Sequence, residues 1–124
     1  MTKVIANGHE FTLLLDLFDP QDKAKSEALD SRYSDRLQAA GFPEDMSAAT
    51  LTAVYAAMED CIDGYLGKGA LKKIMGGKKN VRDAFEQAYK PLREAIFYAV
   101  AEGGATIAKA IMLPEKYQID NIRE

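Results

Sequence analysis

Apolar and polar positions change their period along this chain, and each change predicts an element. Residues 3–15 read KVIANGHEFTLLL, two short runs rich in Val, Ile, Phe, Thr and Leu on either side of Asn7-Gly8. Asn and Gly accept positive φ at little cost, as a two-residue type I′ turn requires, so the pattern predicts a hairpin with strands at about 3–6 and 9–15. A lone hairpin is marginal in water, so its apolar face must rest on helices or on another chain, while its outer edges stay open to strand addition. Asp19-Pro20 then opens a helix: Asp19 can cap it, Pro20 suits its first position and Asp22 puts negative charge in its first turn. That helix should run to about Ala40, with Gly41 just past its end and Pro43 preventing continuation. Its apolar positions are sparse (Ala28, Leu29, Tyr33, Leu37, Ala40), so most of it should be solvated.

The next segment carries the strongest signal. Leu51, Val54, Met58, Cys61 and Tyr65 recur at 3-4-3-4 spacing, flanked by Tyr55, Ile62 and Leu66, and predict a core helix over about 47–66 capped by Asp45 or Ser47 and stopped by Gly67. Gly64 should weaken its last turn. Ala70, Leu71, Ile74 and Met75 predict a short helix over about 69–75, bracketed by glycines that let the chain reverse. After Asn80, Val81, Phe85, Ala88, Leu92, Ile96 and Ala99 form the inner stripe of a fourth helix, with Pro91 expected to kink it near residues 87–91. Gly103-Gly104 should interrupt it, leaving a fifth short helix over 105–113 and a polar tail from Pro114. The expected fold is mainly α (α+β): a hairpin (1–16) packed on a bundle of four to five helices (17–113), then a tail (114–124), one domain in all.

Composition limits the function classes. The chain has 124 residues, 48% hydrophobic and 28% charged, which fits one folded domain and excludes disorder over most of its length. No apolar run approaches the ~20 residues of a membrane span, and no signal peptide is visible. A single cysteine, Cys61, permits no internal disulfide and fits a reducing compartment. The net charge of −3 hides a polarity: residues 1–66 hold 5 Lys/Arg against 12 Asp/Glu, and residues 67–124 hold 11 against 7. Lys68, Lys72, Lys73, Lys78, Lys79 and Arg82 form a basic run with no acid inside it. Such a dipolar molecule can dock on a copy of itself or steer an acidic partner. Nucleic acid is disfavoured, because no aromatic interleaves the run and the rest of the chain is acidic.

Catalytic equipment is sparse. His9 is the one imidazole and is expected in or beside a turn, without the second ligand that zinc spacing needs. Cys61 lies on the heptad seam as a small buried hydrophobe with no histidine placed to activate it. Glu59, Asp60 and Asp63 alternate with seam residues and should face water, with Lys68 or Lys72 as candidate counter-charges. Gly76-Gly77-Lys78-Lys79 lacks the upstream Gly and the following Ser/Thr of a phosphate loop. No enzyme activity, cofactor or metal is therefore expected.

Two stretches, NGHEFTLLLDLFD at 7–19 and DGYLGKGALKKIMGGKKNVRDAFEQAYKPL at 63–92, resemble the tail assembly chaperone-like proteins of Firmicutes siphophages over 43 of the 124 residues, most specifically at 67–80. The resemblance implies a non-enzymatic, self-associating helical protein of the host cytoplasm that coats the tape-measure protein and recruits tail-tube subunits. The candidate protein-binding residues are Phe11 and Leu13 on the hairpin, Lys68, Lys72, Lys73, Lys78 and Lys79 on the basic connector, and the adjacent pair Phe97 and Tyr98, which cannot both face one core. A second function class remains open: a small phage inhibitor of a host defence system, anti-CRISPR-like, that presents its acidic half to a basic channel.

Overall fold

The computed structural model describes residues 2–112, so the expected tail at 114–124 lies outside the described residues. It is a mainly α helical bundle with an N-terminal β-hairpin. Strands β1 (Lys3–Ala6) and β2 (His9–Thr12) pair antiparallel, Val4 opposite Phe11 and Ala6 opposite His9. Asn7 at φ 48° and Gly8 at φ 79° make the turn left-handed, as the sequence requires. The Asn7 side chain then donates to the Ile74 carbonyl at 2.9 Å, which ties the turn to the bundle. Val4 and Ala6 are buried beneath the hairpin, while Lys3 and Glu10 pair at 3.3 Å on its outer face. The second strand stops at Thr12, three residues earlier than expected. The Leu13 N–H still bonds to Thr2, but the Leu14 N–H donates to the Tyr65 carbonyl at 2.9 Å, so docking on a helix end outcompetes strand pairing.

Helix α1 (Pro20–Ala40) begins with Asp19 accepting from the Asp22 N–H and ends at Gly41 in the left-handed region. It is as solvated as its sparse stripe implies: Ser26 is its one buried residue, Leu29, Tyr33 and Leu37 are half-buried, and Ala28 is exposed. It packs along α2 (Ala48–Leu66), capped by Ser47, whose Val54, Met58, Cys61, Tyr65 and flanking Tyr55, Ile62 and Leu66 are all buried. Gly64 is where the two helices touch. A Cβ there would lie 2.6 Å from Leu29 Cδ2, so this glycine trades helix propensity for close approach.

The acids at the end of α2 do more than face water. Asp60 meets Arg32 at 2.8 Å and Arg36 at 3.7 Å, both on α1, in place of the lysines that sequence proximity suggested. The Asp63 carboxylate accepts from the Gly69 and Leu71 N–H groups at 3.0 Å each, so an acid that opposes the dipole of its own helix caps α3 (Ala70–Met75) instead.

The last helical run is continuous: α4 (Val81–Ala84), a π-helical turn (Phe85–Tyr89), α5 (Lys90–Ile107) and a second π-helical turn (Ala108–Met112). Ala84, Ala88, Leu92 and Ile96 are buried at a constant spacing of four. In a regular α-helix that spacing drifts about 40° per step, and the wider π turn takes the drift back. It sits directly before Pro91, whose ring has no N–H to complete a regular ladder. The expected disruption at 87–91 is thus a wide turn over residues 85–89. Gly103-Gly104 does not end the helix. The Phe18 ring lies against Gly103, where a Cβ would come 2.5 Å from Cε2, and this contact gives the glycine a packing role inside the helix.

One polar cluster crosses the bundle. The Tyr65 hydroxyl lies 2.6 Å from Ser26 Oγ and donates to Asp30 at 2.8 Å, and Arg93 from α5 meets both Asp30 oxygens at 2.9 and 3.3 Å. Burial opposes the charge on Arg93, but the hydrogen bond and charge of Asp30 outweigh it and hold the guanidinium above its ordinary range. No buried side-chain polar atom lacks a partner among the described residues.

Cys61 and Tyr65 are both fully buried, and burial pushes each up to about 12. Because the folded state holds these protons more tightly, their contribution to stability is intact below about pH 8.5, the ordinary thiol value, and is lost as the pH rises towards 12. Urea midpoints measured from about pH 8 to about pH 11 should therefore fall. A thiol reagent at about pH 8 should label Cys61 at least ~100-fold more slowly in native than in unfolded protein, the margin of a local opening costing about 3 kcal/mol. Equal labelling rates would place Cys61 at the surface.

Candidate functional site

The half-buried face of α1, the N-terminal half of α2 and the start of α4 do not close on one another. Between them lies an open, mostly apolar groove of about 890 Å³. Tyr33, Leu37 and Phe42 line it from α1 and the loop that follows, Leu51, Val54, Tyr55 and Met58 from α2, and Val81 and Phe85 from α4 and the π turn. Met46, which is 59% exposed, stands at its mouth. Tyr89, outside the lining itself, stacks on two lining rings, Tyr33 at 5.1 Å and Phe85 at 6.0 Å. Desolvation drives the Tyr33 and Tyr55 hydroxyls above their usual range, so both present neutral O–H groups at neutral pH.

The charged lining is small and divided. Glu59 stands on α2, with Lys79 and Arg82 on the opposite border. Lys78 is turned aside into a 2.7 Å pair with Asp83, and that hydrogen bond, aided by the lysine's charge, lowers the Asp83 carboxyl. Neither His9, on the hairpin, nor Cys61, in the core, is among the lining residues. No group of three or more His, Cys, Asp or Glu could hold a metal ion among the described residues. Chemically, this surface can desolvate an apolar side-chain row and orient it with a few charges. Its volume lies in the range of ligand pockets, and its open form suits a helix or extended segment more than an enclosed small molecule.

The structure scatters the residues singled out from the sequence. Of the nine, only Lys79 lines the groove. Leu13 is 5% exposed and belongs to the core, so it offers nothing to a partner. With Phe11 on the inner side of β2 its side chain turns towards the helices. Phe11 is half-buried, and the Lys73 ammonium stands 5.9 Å above its ring. Lys68 and Lys72 are exposed beside it in sequence, on the turn and helix that follow α2. Phe97 and Tyr98 are both exposed, at 66% and 64%, and meet edge to face at 5.5 Å. The groove residues escaped the sequence reading because they are supplied by three elements. The one signal was a surplus: Phe42 and Met46 in an interhelical loop, and Leu51 and Phe85 on stripes already long enough for the core.

The fold and groove together define a helical-bundle protein with an open apolar groove. More particularly, the chain belongs to a family of unknown function, DUF6673, whose model matches residues 7–118. No curated protein and no solved structure matches it. Among the described residues, no helix is long and apolar enough to cross a membrane.

Proposed function

We propose that this protein is a non-enzymatic assembly chaperone or scaffold that holds an apolar segment of a longer partner chain in the groove between α1, α2 and α4. The groove carries the reading: about 890 Å³ of apolar, helix-bordered surface with charges of both signs on opposite borders. An amphipathic helix fits such a site, with its apolar row on Leu51, Tyr55 and Phe85 and an acidic flank towards Lys79 and Arg82. The resemblance to siphophage tail assembly chaperones supplies the partner class, a tape-measure protein with tail-tube subunits, and with it the host cytoplasm as the place of action.

The competing reading, an inhibitor using its acidic half, has less support. Asp19, Asp22, Asp30, Asp45, Asp60 and Asp63 are engaged by backbone N–H groups, the Tyr65 hydroxyl or arginines of the same chain. An acid committed to such bonds is a poor mimic of free phosphate.

The test is co-expression with a siphophage tape-measure protein. The wild type should keep that protein soluble and co-purify with it. Met46→Lys combined with Phe85→Glu changes two exposed positions, so the melting temperature should hold while affinity falls by at least ~10-fold, as for residues central to an interface. A tape-measure protein that stays insoluble with the wild type, or that is retained equally by the variant, overturns the proposal.

A further inference from the structure

The C-terminal half of α5 and the π-helical turn that follows it expose a second apolar surface, separate from the groove. Phe97, Val100, Ile107 and Ile111 are 66%, 37%, 41% and 70% exposed. With Gly104 they recur at 3-4-3-4 spacing, the period of a coiled-coil seam. The stripe that faces the bundle is a different one, Leu92, Ile96, Ala99 and Gly103, set about 100° around the helix. The seam is thus left unpaired by the protein's own fold.

We propose that this seam pairs with the same seam of a second copy, antiparallel and crossing at Gly104. Three observations select a copy of this chain as the occupant. The pattern is close to palindromic about Gly104, with large apolar residues seven and four positions before it and three and seven after it. A two-fold axis there sets Phe97 against Ile111 and Val100 against Ile107. Gly104 itself has nothing within 4 Å of where a Cβ would stand, so a second backbone can come close. The positions flanking the seam are Ala101, Gly103, Ala108 and Ala110, none charged, so identical helices meet without like-charge repulsion.

The area suffices. The four seam side chains leave roughly 400 Å² uncovered per copy, and the apolar residues beside Val100 bring a pair towards about 1,000 Å², the lower bound for a specific interface. Leu14 and Phe18, 57% and 46% exposed, extend the patch at its base, where Leu14, Phe18, Ala99 and Val100 border a cleft of about 260 Å³. The pairing is isologous, so it closes at two copies and leaves both grooves free.

Sedimentation equilibrium of the full chain tests this. At about 100 µM, where interfaces of this size are populated, the wild type should weigh twice 13.6 kDa. Ile107→Glu combined with Ile111→Glu should return it to 13.6 kDa with its circular dichroism retained, since both positions are exposed. Mixing Phe97→Cys with Ile111→Cys and oxidising should give the mixed disulfide dimer in excess over either homodimer. A monomeric wild type, a dimer that survives the two glutamates, or homodimeric cross-links in excess would each overturn the proposal.

Discussion

Leu92→Asp yields no folded protein. Leu92 is fully buried in the core cluster, on the helix that packs against β1, and a carboxylate there has no partner to satisfy it. Leu92→Ala is the graded version. It removes three heavy atoms from a packed core and should cost about 2–5 kcal/mol, a melting temperature lower by roughly 10–20 °C in a domain of this size. The measurement is a thermal melt followed at 222 nm. An unchanged midpoint for the alanine variant would mean that the α5 stripe does not close the core.

The second large effect is expected at Tyr65, where core and polar clasp coincide. Tyr65→Ala removes a fully buried ring under which α1 and α5 meet α2 and should cost about 3–5 kcal/mol. Tyr65→Phe keeps the ring and removes only the hydroxyl. It leaves the buried Ser26 without its 2.6 Å partner and takes one donor from Asp30, at about 1–3 kcal/mol. The Phe variant should also flatten the fall of stability at high pH, because one of the two groups whose protons are held up to about 12 is gone. Denaturant titrations at neutral and alkaline pH measure both effects. Equal losses for Phe and Ala would mean that the ring packs nothing.

Much of this fold is written locally. Asn7-Gly8 fixes the hairpin turn, Asp19, Ser47 and Asn80 cap three helices, and the seam from Val54 to Tyr65 names the core helix before any contact is known. The errors occur where a residue's role is set by a neighbour distant in sequence. Gly64 and Gly103 read as helix weaknesses, but each accommodates a side chain, Leu29 and Phe18, that the sequence cannot place. Asp60 and Asp63 read as a solvated cluster, yet one serves α1 and the other α3. Leu13 read as a contact residue because strand alternation alone does not say which face the bundle covers. The groove was the least legible feature, being defined by a gap between elements, and a sequence pattern records what packs more readily than what fails to.

The wide turn at Phe85–Tyr89 ties the inside of this protein to its outside. It works as a one-residue phase shift between two stretches of a single rod. The C-terminal stretch keeps Leu92 and Ile96 pointed inward, and the N-terminal stretch is thereby free to aim Val81 and Phe85 at the opening. The shape of the groove is therefore set by helical register as well as by side-chain identity. Losing a single residue between Ala84 and Lys90 would swing the groove wall around the helix axis by about a quarter turn, even with every lining side chain conserved.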